Sequence, residues 1–145
     1  MKLKDNIVFE YENKKFNLVL RGRIIIVPGK TSNGKTLICT LLSKLKNQPQ
    51  YAKDYENLVM VNYTLPDSDI IKKLKGKLII IDNADIVLAG KDDLVQHIAL
   101  DRNNQYIIFG RSSFELGLSP NYYAELREED LKFTLHYEYD TKGWF

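Results

Sequence analysis

Ile24-Ile25-Ile26-Val27-Pro28-Gly29-Lys30-Thr31-Ser32-Asn33-Gly34-Lys35-Thr36-Leu37-Ile38-Cys39-Thr40-Leu41-Leu42 is the stretch that decides the fold. Its first part is a continuous apolar, β-branched run, which suits a strand buried on both faces of a parallel sheet. Its last part, with Leu45, repeats apolar residues at helical spacing. Between them Gly29 and Gly34 bound a loop with the spacing G-x-x-x-x-G-K-[ST]. Both glycines reach backbone angles closed to residues with a Cβ, so main chain can approach a ligand closely. Loop amides and the following helix N-terminus then face the same anion. A strand, this loop and a helix in succession are the context in which the pattern signals a nucleoside triphosphate and its magnesium ion. Lys35 is expected to reach the β- and γ-phosphates, and the Thr36 hydroxyl to ligate magnesium.

Working outward, three more runs match the first: Leu58-Val59-Met60-Val61, Leu78-Ile79-Ile80-Ile81 and Tyr106-Ile107-Ile108-Phe109. Helical patterns separate them. Ile70, Ile71 and Leu74 mark a short helix, with Asp67 or Ser68 as N-cap and Gly76 as stop; Leu94, Val95, Ile98 and Ala99 mark another. Upstream, Ile7, Phe9 and Tyr11 alternate, as do Phe16, Leu18 and Leu20, with Glu12-Asn13-Lys14-Lys15 as the turn of a β-hairpin. Near the end Phe133, Leu135, Tyr137 and Tyr139 alternate with polar residues, which predicts a strand at a sheet edge with one polar face. These patterns predict a single α/β domain over 1–145: a three-layer sandwich with a mostly parallel sheet, an N-terminal β-hairpin and a C-terminal antiparallel edge strand.

The loop at 29–36 resembles the Walker A motif of the P-loop NTPase superfamily, and Leu78-Ile79-Ile80-Ile81-Asp82 resembles its Walker B motif. The resemblance implies nucleotide contacts from Gly29, Lys30, Thr31, Ser32, Asn33, Gly34, Lys35, Thr36 and Leu37, and magnesium held by Thr36 and Asp82. A hairpin just before a P-loop strand is similar to the start of ABC-type ATPases, but no L-S-G-G-Q-like signature follows. In the ATPase branch, which has an extra strand between the two motifs, a glutamate follows the Walker B aspartate and polarises the attacking water. Asn83 stands there in this chain. An amide orients a water but takes no proton at neutral pH. Asp82-Asn83-Ala84-Asp85 resembles the D-E-A-D or D-N-A-D variants of AAA+-like and helicase-like ATPases, which makes Asp85 a catalytic candidate beside its plainer reading as a helix cap or loop acid. Arg111, at the tip of the fourth run, is a candidate for neutralising charge on the transferring phosphoryl group, and Ser112 or Ser113 for bonding the attacking water; a surface loop arginine is the alternative. The catalytic set is therefore Lys35, Asp82, Asp85 and Arg111.

Composition adds bounds. The 145 residues are 44% hydrophobic and 28% charged, an ordinary globular balance. A net charge of +2 gives no argument for nucleic acid or an anionic membrane as a partner. The single cysteine, Cys39, suits a reducing cytosol and, within an apolar helix, reads as packed rather than reactive. No run serves as a signal peptide or a membrane span, so a cytoplasmic location is expected. The Lys72, Lys73, Lys75 and Lys77 run reads as a solvated face; His97 and His136 lack neighbours at metal spacing. Tyr122, Tyr123, Tyr137 and Tyr139 suit either an interface or a core rim, and Trp144 and Phe145 pack on the domain or meet a partner.

A GTPase would carry D-x-x-G and N-K-x-D motifs. Neither is present, which favours ATP by elimination. The expected function is a minimal magnesium-dependent ATPase, with a protein partner or second copy completing the site. Its first alternative is a non-hydrolysing ATP-binding module, favoured by Asn83. A small-molecule P-loop kinase ranks below both, because Asn62-Tyr63-Thr64 offers no substrate carboxylate and the segment after Arg111 is a poor lid.

Overall fold

A computed structural model describes residues 3–28, 35–62, 68–110 and 123–137. Four strands form a wholly parallel sheet in the order β3-β6-β5-β4: β3 Ile24–Val27, β4 Leu58–Val61, β5 Leu78–Ile81 and β6 Gln105–Phe109. Each is one of the apolar runs, and each has apolar neighbours on both sides. Ile25, Val27, Ile80, Ile107 and Phe109 enter one core, while Ile24, Ile26, Ile79, Ile81 and Ile108 enter the other. Period-two alternation along a strand sends successive side chains to opposite faces. When both faces are covered, the polar half of the pattern disappears and a continuous apolar run remains.

The first core is shared by α1 (Lys35–Lys44) and a second, mixed sheet of order β1-β2-β8-β7. Here β1 is Asn6–Tyr11, β2 Lys14–Val19, β7 Ala124–Glu129 and β8 Lys132–Tyr137. Phe9, Phe16 and Phe133 stack in a row across its inner face, with centroids 4.4 and 4.6 Å apart. Offset or stacked aromatic pairs add about 0.5–1.5 kcal/mol each beyond area burial. The second core is closed by α2 (Ala84–Val87), α3 (Asp92–Leu100) and a 3-10 turn at Ser68–Lys73.

The N-terminal hairpin forms as the alternation predicts, with Phe9 opposite Phe16. The edge amides of β1 are not left bare. Tyr55 Oη accepts from Val8 N at 2.9 Å and Tyr51 Oη accepts from Glu10 N at 3.0 Å. Such capping keeps an edge from pairing with another chain.

Two expectations change. The C-terminal strand is β8, and it is not an edge: it runs antiparallel to β7 and parallel to β2, between them. Its polar half faces solvent because the whole outer face of the mixed sheet does, with Lys132, Thr134 and His136 exposed. The helix expected around Ile70–Leu74 is a 3-10 turn; only Ile71 of that group is fully buried, too little apolar surface to support a longer helix. Gly76 does lie just beyond it at φ +69°, the left-handed conformation that ends such segments. The two sheets meet where Ile26 pairs with Tyr123 in the parallel sense, immediately before β7. Asp67, Tyr139, Trp144 and Phe145 lie outside the described residues.

Candidate functional site

Open parallel sheets bind ligands beyond the carboxyl ends of their strands. At that end β3 runs toward the 29–34 loop, β5 ends before Asp82, and β6 ends before Gly110. Chain order alone would place β4 between the β3 and β5 tips, but β6 lies there instead.

Lys35 opens α1, and only 6% of it is exposed. Burying an ammonium is costly unless it is hydrogen-bonded. Its Nζ donates to the Gly110 carbonyl at 2.7 Å, across 75 residues of chain. The first residue of the helix is thereby tied to the tip of β6. One helical turn later Cys39, 4% exposed, lies near the Asp82 carboxylate. Burial pushes the Cys39 thiol far above its ordinary value, and the Asp82 charge raises it further; the Lys35 charge opposes both. Lys35 and Asp82 thus act electrostatically on one sulfur atom, from opposite signs. The structure brings together Lys35, Cys39, Asp82 and Gly110 at the carboxyl end of the sheet.

Thr36 is exposed beside them, and Leu37 is partly buried against the core. Asn83 follows Asp82 in the left-handed conformation, φ 53° and ψ 50°, and caps α2. This turns the chain sharply after β5 and sets Asp85 in the first turn of α2, where a carboxylate suits the helix dipole. Asp85 is half-buried. Gly29, Lys30, Thr31, Ser32, Asn33, Gly34, Arg111, Ser112 and Ser113 lie outside the described residues.

Among the described residues, no group of three or more His, Cys, Asp or Glu is arranged to hold a metal ion. One carboxylate and one hydroxyl, from Asp82 and Thr36, suit magnesium only when phosphate oxygens and waters complete its shell. Cys39 is the residue that sequence reasoning placed in the core without a further role. It is packed there, and it also lies near Asp82. The signal was its position four residues after Lys35, on the same helix face.

A second polar cluster lies at the opposite end of the sheet. Asp101 accepts from Tyr106 Oη, from Asn104 Nδ2 at 2.7 Å and from Asn103 N at 2.8 Å. His97 Nε2 stands 3.7 Å from the same carboxylate. Gln105, 1% exposed, bonds both the amide and the carbonyl of Lys4 and the carbonyl of Gly22. Lys72, within the basic run, pairs with Asp93 of α3.

Comparison with protein-family models, with curated protein sequences and with solved structures returned no match. No described helix is long and apolar enough to cross a membrane.

Proposed function

We propose that this chain binds ATP with magnesium through its 29–36 loop and Asp82, as a compact P-loop ATPase domain. The observation that carries the proposal is the buried Lys35 ammonium held on the Gly110 carbonyl at the carboxyl end of a parallel sheet, with Asp82 following the neighbouring strand β5. Lys35 and Asp82 are 47 positions apart in the chain. The strand order supports the ATPase branch in particular, because β6 separates the loop-bearing strand from the aspartate-bearing one. Apolar cores on both faces of that sheet fit the three-layer arrangement of the superfamily. A cytoplasmic protein completed by a partner or second copy belongs to the same proposal.

In this reading magnesium, once bound, offsets phosphate charge and orients the terminal phosphoryl group. Lys35 moves its ammonium between the Gly110 carbonyl and the β,γ-oxygens, and Asp82 and Thr36 supply oxygens to the ion or its waters. Asn83 favours a second reading, a module that binds ATP and hydrolyses it slowly, because an amide cannot act as general base.

ATP affinity measured with and without magnesium, for the intact protein and Lys35→Ala, tests this. Loss of a buried charged contact predicts at least about a hundredfold weaker binding in a folded variant. Equal binding by both proteins removes the proposal.

A further inference from the structure

We propose that a crevice at the amino end of the parallel sheet binds a small organic ammonium compound with an apolar body. It lies at the opposite end of the strands from the 29–36 loop and does not depend on the ATP–magnesium reading.

The crevice has a volume of about 570 Å³. Small-molecule sites span roughly 300–1,000 Å³. Its buried lining comes from Leu58 and Leu78, the first residues of β4 and β5, with Tyr55 and Gln105. The Gln105 amide is already engaged by Lys4 and Gly22, so the buried lining offers a ligand mainly apolar surface. The rim is polar: Asp5, Asn6, Asp54 and Asn57 line it and are exposed. Among the described residues, none of these four side chains is engaged in a hydrogen bond or ion pair.

The walls are tied together across distant parts of the chain. Gln105 accepts from Lys4 N and donates to the Lys4 carbonyl, both at 2.9 Å. Leu20 N donates to the Asp5 carbonyl at 2.8 Å, and Leu78 N to the Asn57 carbonyl at 3.0 Å. Tyr55 Oη bonds both the amide and the carbonyl of Val8, which fixes its ring. Walls set in advance lower the ordering cost of binding.

Charge selects the ligand. Two carboxylates, Asp5 and Asp54, face one ammonium, that of Lys4. Lys4 Nζ lies 4.6 Å from the Tyr55 ring centroid and donates to the Asp54 carbonyl at 3.1 Å. It is thus engaged by a ring face and a carbonyl, and both carboxylates stay open to a second cation. An incoming ammonium gains from both acids and from the amide oxygens of Asn6 and Asn57, whereas a carboxylate is repelled. The apolar lining takes up the rest of the molecule.

The experiment is titration of the full chain with 2-phenylethylammonium, followed by the shifts of backbone amide resonances. The comparison ligands are 2-phenylethanol, 3-phenylpropionate and ethylammonium. The ammonium should bind saturably, with shifts centred on residues 3–6, 54–58 and 76–78. The alcohol and ethylammonium should each bind about tenfold more weakly, and the carboxylate more weakly still. Asp5→Asn/Asp54→Asn, which alters only exposed side chains, should bring the ammonium down to the affinity of the alcohol. Glu128→Gln/Glu129→Gln makes the same charge change on β7 and should leave binding intact. Absence of saturable binding, or shifts scattered over the surface, overturns the site. Equal affinity for ammonium and alcohol, or unchanged ammonium binding in a folded Asp5→Asn/Asp54→Asn variant, overturns the ligand class.

Discussion

The two ends of the parallel sheet bury polar groups in opposite ways. At the amino end Asp101 receives a phenol O–H, a side-chain amide and a backbone amide. Gln105 bridges backbone groups of Lys4 and Gly22, and Asn104 joins Lys77 N to the Leu74 carbonyl. Strong donors meet strong acceptors, while the buried His97 Nε2 beside Asp101 makes no hydrogen bond among the described residues. At the carboxyl end the buried Lys35 ammonium donates to the Gly110 carbonyl across 75 residues of chain. The Asp101 carboxylate is buried, whereas the Asp82 carboxylate is partly open to solvent. The contrast separates a structural network from a candidate site within one sheet, on chemistry alone.

The sharpest way to break the comparison is a crossed pair of substitutions. Asp101→Ala strands the Tyr106 hydroxyl and the Asn104 amide in the interior. At about 1–3 kcal/mol for each orphaned group, it should cost roughly 3 kcal/mol or more in urea unfolding. Lys35→Ala removes a buried charge together with its bond to the Gly110 carbonyl, and because the desolvation cost of the ammonium goes with it, the stability loss should be smaller than that of Asp101→Ala. ATP binding should respond in reverse: abolished by Lys35→Ala, unchanged in folded Asp101→Ala. If Asp101→Ala loses ATP binding while still folded, the two ends are not separate.

Acid offers a second test. Burial raises the Asp101 carboxyl, but the bonds from Tyr106, Asn104 and Asn103 and the charge of His97 outweigh it and hold it below the ordinary carboxylate value. A depressed folded-state value means the unfolded chain takes up the proton first as pH falls. The contribution of Asp101 is therefore complete above about pH 4, the unfolded value, and drains away as pH drops through the lower folded value. Urea midpoints followed from pH 6 downward should show this decline, and Asp101→Asn should flatten that part of the profile.

How much of this was legible in the sequence follows from the range of each interaction. The four buried strands and the hairpin were legible because apolar runs and alternation are local consequences of two-faced and one-faced burial. The strand at Ile24–Val27 and the helix at Lys35–Lys44 were legible because their apolar patterns are local. The parallel pairing of β2 with β8 was not: it joins Phe16 to Phe133, and periodicity carries no information about which strand lies beside which. For the same reason the alternation in β8 looks like that of an edge strand, although β8 lies between β2 and β7. The 3-10 turn at 68–73 imitated a helix because three apolar residues fit either period. Asp101, Asn104 and Gln105 look like ordinary polar loop residues until folding buries them, and the nearness of Cys39 to Asp82 arises only once β5 is brought beside α1.

The smallest expected effect concerns Asn83, where the two ends differ in backbone as well as side chain. Its φ of 53° places a residue with a Cβ in the left-handed region directly after Asp82, whereas the described positive-φ residue nearest the amino end is Gly76. Asparagine tolerates that region through local hydrogen bonding, alanine pays about 1 kcal/mol there, and glycine enters it freely. Asn83→Ala should thus lower stability by about 1 kcal/mol in urea unfolding, and Asn83→Gly by a few tenths at most. The glycine variant is the informative one, since it keeps the turn that sets α2 and Asp85 while deleting the amide. Any ATP turnover that falls in Asn83→Gly reports the side chain alone, as expected if the amide orients the attacking water. Turnover that survives in Asn83→Gly but falls in Asn83→Ala would show that the residue matters only through the backbone it permits, and the water-orienting role would pass to another group at this end of the sheet.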